Sequence, residues 1–406
     1  MIDLARRILS SAEKLNGKTD DSHNLARRDM IEATHEMQLL VAESSPSLWL
    51  EQRQIEYQTL SCLRWLVKFN IFTLVPSDLT PVPYTHVAAQ ASVPLARLKS
   101  VARMAMTNGL FIEPSPEHVA HSRLSASFAE DDHLRNWAHF VTTYGAPTAA
   151  GLAEATARWG DTTAKTETAF NVAFNTDMPF FEYFKEKKGI VDEFAAYMRS
   201  LTRSERLRIG HLVDGFDWTG MGEALIIDVG GSNGQAAATL ATAFPNLRFI
   251  VQDLPETIVS AKETTLAALP PPVAARISFQ PHDFFRHQQG RVPDIYLLRR
   301  ILHDWPTERA RDILQQLTVA IKNGDNPRAR IIVMETILPP QGVLSKFEEA
   351  ALRARDLTMA EYFNSKEREL NEWEDLFSST EPPLELKGWK QPQGSALAVM
   401  EVVLKE

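Results

Sequence analysis

Polar side chains follow five predicted strands in the second half of the chain, each where a strand ends. They are Asp228 with the glycine turn behind it, Asp253, the His282-Asp283 pair, the segment 299–304, and Glu335. Because parallel α/β sheets bind ligands at the carboxyl ends of their strands, we expect these groups to converge on one crevice. Carboxylates beside a glycine turn can bind ribose hydroxyls, and a histidine among carboxylates can accept a proton near neutral pH. These residue types predict a nucleotide-like ligand at this edge of the sheet. Taken alone, His303 fits a structural role at the start of a helix.

The most specific of these segments is 224–234, which reads Ala-Leu-Ile-Ile-Asp-Val-Gly-Gly-Ser-Asn-Gly. An apolar strand, a glycine-rich turn and a following helix form a nucleotide-binding βα unit. Glycine lets the backbone turn tightly and approach a ligand where a Cβ atom would collide. The run does not spell the Gly-x-Gly-x-x-Gly of nicotinamide enzymes, and the chain has no Gly-x-x-x-x-Gly-Lys-Ser/Thr phosphate loop. The turn therefore favours an adenosine-like cofactor.

Alternating apolar and helical segments must position these groups. The predicted strands are 224–228, 247–252, 276–280, 294–299 and 330–335, and the predicted helices are 235–244, 256–268, 307–322 and 346–361. This alternation predicts an α/β fold with a parallel sheet covered on both faces. The segments 384–387 and 396–405 predict two further strands that close the sheet as an antiparallel hairpin.

The first half of the chain is predicted to be mainly helical. Two short helices at 84–90 and 95–108, followed by a strand–turn–strand at 109–121, suggest a winged helix. Such a module can bind DNA or join subunits, and the net charge of −9 favours the second role. The expected domains are a helical dimerisation domain (1–128), a helical linker and substrate cap (129–205) and a Rossmann-like domain (206–406).

The composition excludes several classes of protein. A single cysteine, Cys62, allows no intrachain disulfide, which fits a reducing compartment and predicts a cytoplasmic location. The first 18 residues lack the apolar core of a signal peptide, and no apolar run is long enough to cross a membrane. We therefore expect no membrane and no nucleic-acid partner. The histidine–aspartate pairs do not form a zinc pattern, so we expect no metal.

Four motifs together give the chain a family resemblance. They are Asp-Val-Gly-Gly-x-x-Gly, Asp-Leu-Pro after the second strand, Leu-His-Asp-Trp after the fourth, and Asn-Ser-Lys-Glu-Arg-Glu-Leu-Asn-Glu-Trp near the end. In this order they resemble the S-adenosylmethionine-dependent O-methyltransferases of the plant caffeic-acid type, in their fungal natural-product branch. The resemblance covers nearly the whole chain and implies a Rossmann-like class I methyltransferase domain behind an N-terminal dimerisation domain.

The resemblance also implies a role for individual cofactor-binding residues. The glycines would let the backbone approach the methionine part, an aspartate would bind the ribose hydroxyls, and an aspartate–phenylalanine pair would flank the adenine. An arginine matches a basic position near the cofactor. The positions are Gly230, Gly231, Ser232, Gly234, Asp253, Leu254, Asp283, Phe284 and Arg299.

In the same family His303 matches the catalytic base, and Glu335 and Glu367 match acids that orient it. A neutral histidine can remove the proton of a phenol or enol as the hydroxyl approaches the sulfonium methyl group. Two sequence-based alternatives stay open: Asp304 is expected to cap the following helix, and 366–369 also fits a solvated run of charges.

The substrate pocket and the reaction are less specific. By the family's layout the substrate would contact His139, Phe174, Met178, Phe181, Asp304, Met359 and Phe363. We expect an O-methyltransferase that works as a homodimer on an aromatic or polyketide-derived hydroxyl, with S-adenosylhomocysteine as the product. The alternative is a methyltransferase-like pericyclase, which binds the same cofactor but catalyses dehydration and ring closure, with Arg299, Arg300 and His139 activating a carbonyl. A third class, an inactive cofactor-binding regulator, is disfavoured by the intact His303 and Glu335.

Overall fold

The computed structural model describes residues 1–15, 21–187 and 189–405. The helices are α1 (Ile2–Leu15), α2 (Asp21–Glu43), α3 (Pro46–Lys68), α4 (Ile71–Leu74), α5 (Tyr84–Ala91), α6 (Leu95–Met106), α7 (Arg123–Glu130), α8 (Asp132–Phe140), α9 (Ala146–Ala150), α10 (Leu152–Trp159), α11 (Ala169–Phe174), α12 (Phe180–Glu186), α13 (Ile190–Leu201), α14 (Gly210–Gly215), α15 (Gln235–Ala243), α16 (Pro255–Ala267), α17 (Pro271–Ala274), α18 (Thr307–Asn323), α19 (Lys346–Phe363) and α20 (Leu370–Ser378). The chain also forms a π-helical turn at Val141–Gly145 and 3₁₀ turns that include Leu302–Asp304.

The strands belong to three sheets. They are β1 (Val82–Pro83), β2 (Ile112–Ser115), β3 (His118–Ala120), β4 (Ala224–Val229), β5 (Leu247–Asp253), β6 (Ile277–Pro281), β7 (Ile295–Arg299), β8 (Arg330–Glu335), β9 (Ile337–Leu338), β10 (Arg368–Glu369), β11 (Leu384–Lys390) and β12 (Ala398–Leu404). The large sheet has the order β11-β12-β8-β7-β4-β5-β6. Its neighbours from β8 to β6 are parallel, while β12 is antiparallel to both β8 and β11.

The sequence explains why the central strands lie inside the sheet. In β4 the side chains Ile226, Ile227 and Val229 are all buried, as expected for a strand covered on both faces. The helix α18 presents an apolar stripe, with Ile313, Leu314, Leu317 and Ile321 fully buried against the sheet core. The strand order reverses between β4 and β7, and this switch point is where such sheets bind ligands.

The predicted fold class is confirmed by this topology. Each predicted strand and helix of the second half is present, with ends displaced by at most three residues, and β11 and β12 form the expected antiparallel hairpin. The sequence did not predict the short parallel pair β9–β10, in which Arg368 is opposite Ile337. Each of these strands has only two residues, too few to show a pattern of alternation. This pair matters because it lies directly beside Glu335 and Glu367.

The chain divides into two units. The first comprises residues 1–147, 184–200 and 341–351, and the second comprises residues 148–183, 201–340 and 352–406. In the first unit, α5, α6 and the sheet β1-β3-β2 follow the predicted order and pack around Phe72, Tyr84 and Phe111. The winged-helix assignment and the three domain boundaries stay predictions. Within the described residues, every helix is too short or too polar to span a lipid bilayer.

Candidate active site

His303 lies on the short 3₁₀ turn Leu302–Asp304 after β7, and its side chain is only 2% exposed. Two residues fix this turn from opposite ends. Glu335 Oε1 accepts hydrogen bonds from the backbone N–H groups of Ile301 (2.7 Å) and Leu302 (2.9 Å). The buried Arg368 donates to the backbone oxygens of Leu302 (3.0 Å) and Trp305 (2.9 Å). Because both ends are held by buried charged groups, the imidazole has a defined position.

Two glutamates face one nitrogen of this histidine. Glu367 Oε1 is 3.0 Å from His303 Nδ1, and Glu335 Oε2 is 3.7 Å from the same atom. The β9–β10 pair explains why the two glutamates converge. Glu335 lies two residues before β9 and Glu367 lies directly before β10, so the pairing of these strands brings the glutamates together. Glu367 is also fixed by its backbone N–H, which donates to Asp356 Oδ1 at 2.9 Å. A carboxylate that accepts from Nδ1 leaves Nε2 as the basic nitrogen.

The opposite nitrogen faces Asp304, whose Oδ1 is 3.5 Å from His303 Nε2. The expectation that Asp304 caps the next helix is wrong. The N-cap of α18 is Pro306, the helix begins at Thr307, and no side chain caps it. The proline makes the chain extended for two residues after the 3₁₀ turn, which separates Asp304 from the helix start. Its carboxylate instead lies on the Nε2 side of the histidine.

Burial and charge act in opposite directions on the titration of this cluster. Burial lowers the pKa of His303, but the carboxylates of Glu335, Glu367 and Asp304 outweigh it and raise the pKa to about 9. Burial raises the pKa of Glu335, against the lowering effect of His303 and of the hydrogen bond from the backbone N–H of Ile301. Burial also acts to raise the pKa of Glu367, yet the imidazolium and its hydrogen bond hold the value below normal. Glu367 is therefore the ionised partner of His303.

The interpretation of 366–369 as a solvated charge run is wrong for its two central residues. Glu367 and Arg368 are each 1% exposed, and they contact His303 and the turn that carries it. Lys366, the first residue of the run, forms a partly exposed ion pair with Glu372, which lies after the run. The strand β10 has only two residues, Arg368 and Glu369, which is too short for a pattern of buried and exposed side chains to be recognised within four successive charged residues.

The glycine turn after β4 has the shape expected of a cofactor cradle. Gly230 and Gly234 have positive φ angles of 69° and 73°, which glycine adopts without strain. A Cβ atom on Gly230 would lie 2.7 Å from Ile301 Cδ1, and one on Gly231 would lie 2.6 Å from Asp228 Oδ2. These glycines are therefore required by the packing of the chain itself as well as by any ligand. Ser232 also has a positive φ angle, 51°.

The acids of this region fit a nucleoside with a cationic centre. Asp253 Oδ2 accepts from the N–H of Ser232 (2.9 Å), and its Oδ1 accepts from the N–H of Leu254 (2.8 Å). Each oxygen keeps a lone pair for a ribose hydroxyl. Asp228 Oδ2 is buried and has no hydrogen-bond partner. Burial raises the pKa of Asp228 to about 7, against the lowering effect of the nearby Arg299. A nearby cation would satisfy this carboxylate.

The remaining predicted cofactor residues lie on the same edge of the sheet. Phe284 contacts the turn, since its ring atom Cε1 would be 3.4 Å from a Cβ on Gly230. Leu254 is 39% exposed beside Asp253, and Asp283 Oδ1 accepts from the N–H of Phe285. Arg299 donates to the backbone oxygen of Leu207 (3.2 Å), while its buried Nε has no acceptor. The observed residues therefore fit S-adenosylmethionine.

Besides Asp304, five of the predicted substrate residues lie in the second unit, where aromatic side chains pack on one another. Phe363, at the end of α19, stacks on Phe181 with 5.3 Å between ring centroids, and Phe174 packs on Phe170 at 4.8 Å. Met359 lies one helical turn before Phe363 and is buried. The backbone oxygen of Met178 accepts from Asn171. Apolar aromatic walls of this kind suit a flat substrate.

His139 belongs to the first unit. Its Nε2 is 2.9 Å from Glu193 Oε2, which also accepts from the hydroxyl of Tyr144 at 2.8 Å. The next residues form the π-helical turn, a distortion often found at functional sites. The substrate contact of His139 stays a prediction. Its contact with Glu193 could not be predicted from the sequence, because the two residues are 54 positions apart and leave no local pattern. Arg355 was not singled out either, although an arginine four residues before Met359 on an apolar stripe is a recognisable signal.

Comparisons with known proteins identify the family of this chain. The sequence profile of the O-methyltransferase domain family matches residues 156–381. The chain is 47% identical to O-methyltransferase VdtC of Byssochlamys spectabilis over 93% of this chain and 86% of that protein. It is 37% identical to O-methyltransferase aurJ of Gibberella zeae over 100% of this chain and 98% of that protein.

Solved structures share the fold at lower identity. LepI in complex with S-adenosylhomocysteine and a substrate analogue matches with a TM-score of 0.80 at 22% identity, covering 100% of both chains. OxaC in complex with sinefungin and meleagrin matches with a TM-score of 0.81 at 19% identity, covering 99% of this chain and 98% of that one. The chain therefore belongs to the O-methyltransferase family, whose cofactor is S-adenosylmethionine.

Proposed function

We propose that this enzyme transfers a methyl group from S-adenosylmethionine to a hydroxyl of an aromatic or polyketide-derived secondary metabolite, with His303 as the general base. The observation that carries the proposal is the buried contact of 3.0 Å between His303 Nδ1 and Glu367 Oε1. It fixes the tautomer whose Nε2 can accept a proton, and it stabilises the imidazolium that forms. The fungal relatives VdtC, pgmB and aurJ are named O-methyltransferases, which supports the reaction class.

The basicity of His303 suits a phenol or enol. The surrounding carboxylates raise the pKa of His303 to about 9. A phenol has a pKa near 10, so the proton moves between groups of nearly equal affinity, where general-base catalysis is efficient. The hydroxyl of the substrate would donate to Nε2, and Glu367 would balance the positive charge on the other side of the ring. Glu335, held by two backbone N–H groups, keeps the turn in place.

The cofactor site follows from the same sheet edge. Bound S-adenosylmethionine supplies an electrophilic methyl group on a positively charged sulfur. Asp253 would bind the ribose hydroxyls, Leu254 and Phe284 would cover the adenine with Asp283 at its edge, and Gly230 with Gly231 would leave room for the methionine part. Asp228, whose Oδ2 has no hydrogen-bond partner, would face the cationic part of the ligand, and Arg299 would balance its charge. The enzyme's own contribution is to position the hydroxyl and remove its proton.

The second candidate is a pericyclase on the same scaffold. The observation in its favour is the His139–Glu193–Tyr144 cluster, a second histidine–glutamate pair that methyl transfer does not need. Such a pair could donate a proton to a carbonyl and promote loss of water. The intact His303–Glu367 pair favours methyl transfer, because removal of a hydroxyl proton is the step that this reaction requires.

Product mass distinguishes the two reactions. The protein is incubated with S-adenosylmethionine labelled in the methyl group and a panel of hydroxynaphthalenes and hydroxyanthraquinones. We expect a labelled product heavier by one methylene group and an equal amount of S-adenosylhomocysteine. His303→Ala should lose this activity but still bind S-adenosylhomocysteine, while His287→Ala, which changes an exposed histidine of the same unit, should keep it. A product of unchanged mass, or one that has only lost water, would exclude methyl transfer.

We also propose that the enzyme is a homodimer joined through its first unit. Large apolar side chains are exposed along α2 and α3, among them Val41 (48%), Trp49 (42%), Leu50 (62%) and Ile55 (51%). An exposed apolar face of this kind usually marks an interface. Light scattering should show a dimer for the wild type and a monomer for Trp49→Asp. Trp389→Asp, at a similarly exposed tryptophan of the second unit, should leave the dimer intact; a monomeric wild type would contradict the proposal.

A further inference from the structure

Four arginines of the second unit, Arg299, Arg300, Arg355 and Arg368, have buried donors without an acceptor, and two of them, Arg300 and Arg355, have no assigned role in methyl transfer. In Arg355 both terminal nitrogens, Nη1 and Nη2, are inaccessible to solvent and unpaired, and in Arg300 the same holds for Nε. A guanidinium carries five N–H donors in a planar fork that matches a pair of oxygens. Buried polar groups of proteins nearly always have a hydrogen-bond partner, so these donors call for a ligand or water that the protein chain does not supply.

Both guanidinium groups belong to the charge environment of the histidine cluster. Arg300 lowers the pKa of Arg355, which shows two like charges within electrostatic reach of each other, and Glu367 acts on Arg355 in the opposite direction. However, no side-chain hydrogen bond or ion pair joins either arginine to an acid of the cluster within the described residues. An anion would lower the repulsion between the two arginines.

The helix α19 connects this charge to the aromatic region. Arg355, Met359 and Phe363 follow one another at intervals of four residues, so they lie on one stripe of the helix. From the first to the last is about 12 Å along the axis, from the helical rise per residue. Phe363 stacks on Phe181 at the far end of the stripe. The stripe therefore offers a cationic end, an apolar middle and an aromatic end, in the dimensions of a fused ring system.

The backbone of Arg300 is also unusual. It follows β7 directly and has a φ angle of 54°, in the left-handed region that residues with a side chain rarely adopt. Its N–H donates to the backbone oxygen of Met334 at 3.1 Å, which continues the pairing with β8. Such strain is retained mainly where the direction of a side chain matters for function.

We propose that Arg300 and Arg355 bind a pair of substrate oxygens that share one negative charge, carried by the aromatic substrate of His303. A carboxylate beside the reacting hydroxyl and an enolised 1,3-dicarbonyl both present this arrangement of atoms. The inference rests on the proposed function, because it names the substrate class of the same site. The fork of each guanidinium matches the two oxygens, and the anion supplies the acceptors that the chain lacks.

The test measures binding of matched probes by calorimetry to the full-length protein saturated with S-adenosylhomocysteine. The probes are 3-hydroxy-2-naphthoic acid, its uncharged methyl ester, and 2-acetyl-1,3-indandione as an enolate. We expect at least one of the two anions to bind the wild type about tenfold to a hundredfold more tightly than the ester, the range for charge-assisted hydrogen bonds. The tighter anion identifies which of the two oxygen pairs the site accepts.

The variants assign this preference to the two arginines. Arg355→Gln and Arg300→Gln should each remove most of the preference, and Arg355→Lys should restore part of it, because a lysine keeps the charge but not the fork. Arg311→Gln, at an exposed position of α18, makes the same change in net charge and should keep the full preference. Binding of S-adenosylhomocysteine reports that each variant is folded. If Arg355→Gln does not fold, Arg300→Gln and Arg355→Lys decide the result.

Two results would overturn the proposal: anions and ester that bind wild type equally or not at all, or a preference that survives both glutamine substitutions. Transfer of a labelled methyl group to the same probes is measured in parallel. If transfer occurs without any anion preference, the proposed function stands and the anion site is wrong. If an anion preference that depends on the arginines occurs without transfer, the anion site stands and methyl transfer is wrong.

Discussion

The glycine turn and the histidine cluster lie on the same sheet edge but are built in different ways. The turn is made by consecutive residues, 228–234, and its geometry depends on backbone conformation and on glycine. The cluster joins His303 to Glu335 and Glu367, which are 32 and 64 residues further along the chain. Its geometry depends on side chains that two short strands bring together. We therefore expect an added Cβ atom at Gly230 or Gly231 to disturb the turn, and loss of a carboxylate charge to disturb the histidine cluster.

The largest effect should come from the charge of the cluster. Glu367→Gln keeps an oxygen near Nδ1 but removes the charge that stabilises the imidazolium, so we expect kcat to fall about a hundredfold or more. Glu335→Gln should cost less, since Glu335 is farther from Nδ1 and its main contacts are two backbone N–H groups. Steady-state kinetics with labelled cofactor checks the order. An equal loss in both variants would show that the two acids act as one unit.

The second prediction concerns stability and pH. The pKa of His303 rises from 6.5 to about 9 on folding, so the protonated cluster stabilises the fold fully below pH 6.5. This contribution is lost as pH rises through 9, by about 3 kcal/mol at most. Urea unfolding between pH 6 and pH 10 should show the decline, and His303→Gln should remove that part of it. If the free energy of unfolding depends on pH in the same way in the wild type and in His303→Gln, the raised pKa of His303 is contradicted.

The third prediction tests the turn by adding one methyl group. Gly230→Ala should destabilise the protein by about 1–3 kcal/mol, because the backbone has a positive φ and the new Cβ would lie 2.7 Å from Ile301 Cδ1. Cofactor affinity should fall as well. Gly290→Ala is the matched control, since Gly290 has a φ of 89° but open space around it. If both variants lose the same stability, backbone strain alone matters and the close packing does not.

The smallest effect should come from the carboxylate at the rim of the turn. Asp253→Asn keeps one acceptor but loses the charge and some of the lone pairs for ribose hydroxyls, so the Kd for S-adenosylhomocysteine should rise about tenfold. The kcat at saturating cofactor should change little, because Asp253 does not contact His303. Calorimetry and kinetics measure the two quantities. A large loss of kcat with unchanged affinity would assign Asp253 to the reaction instead.

The sequence predicted the features that consecutive residues encode. The strands of the large sheet, the glycine turn, and His303 with its two glutamates all follow from local patterns or from motifs that resemble the family. Features that depend on contacts between distant segments were missed, including the β9–β10 pair and the partners of His139. Asp304 was misassigned as a cap because Pro306 delays the start of α18. The near-complete burial of Glu367 and Arg368, each only 1% exposed, could not be predicted from four successive charged residues.

The pH dependence of kcat/KM tests the central claim, that His303 acts as a base whose affinity for protons is set by Glu367. For the wild type we predict a rate that rises with pH and levels off with an apparent pKa of about 9, the value for His303 among its carboxylates. In Glu367→Gln the midpoint should move towards the ordinary histidine value of 6.5 and the plateau should be lower. A wild-type kcat/KM that does not rise with pH around pH 9, or a midpoint that does not move in Glu367→Gln, would contradict the account.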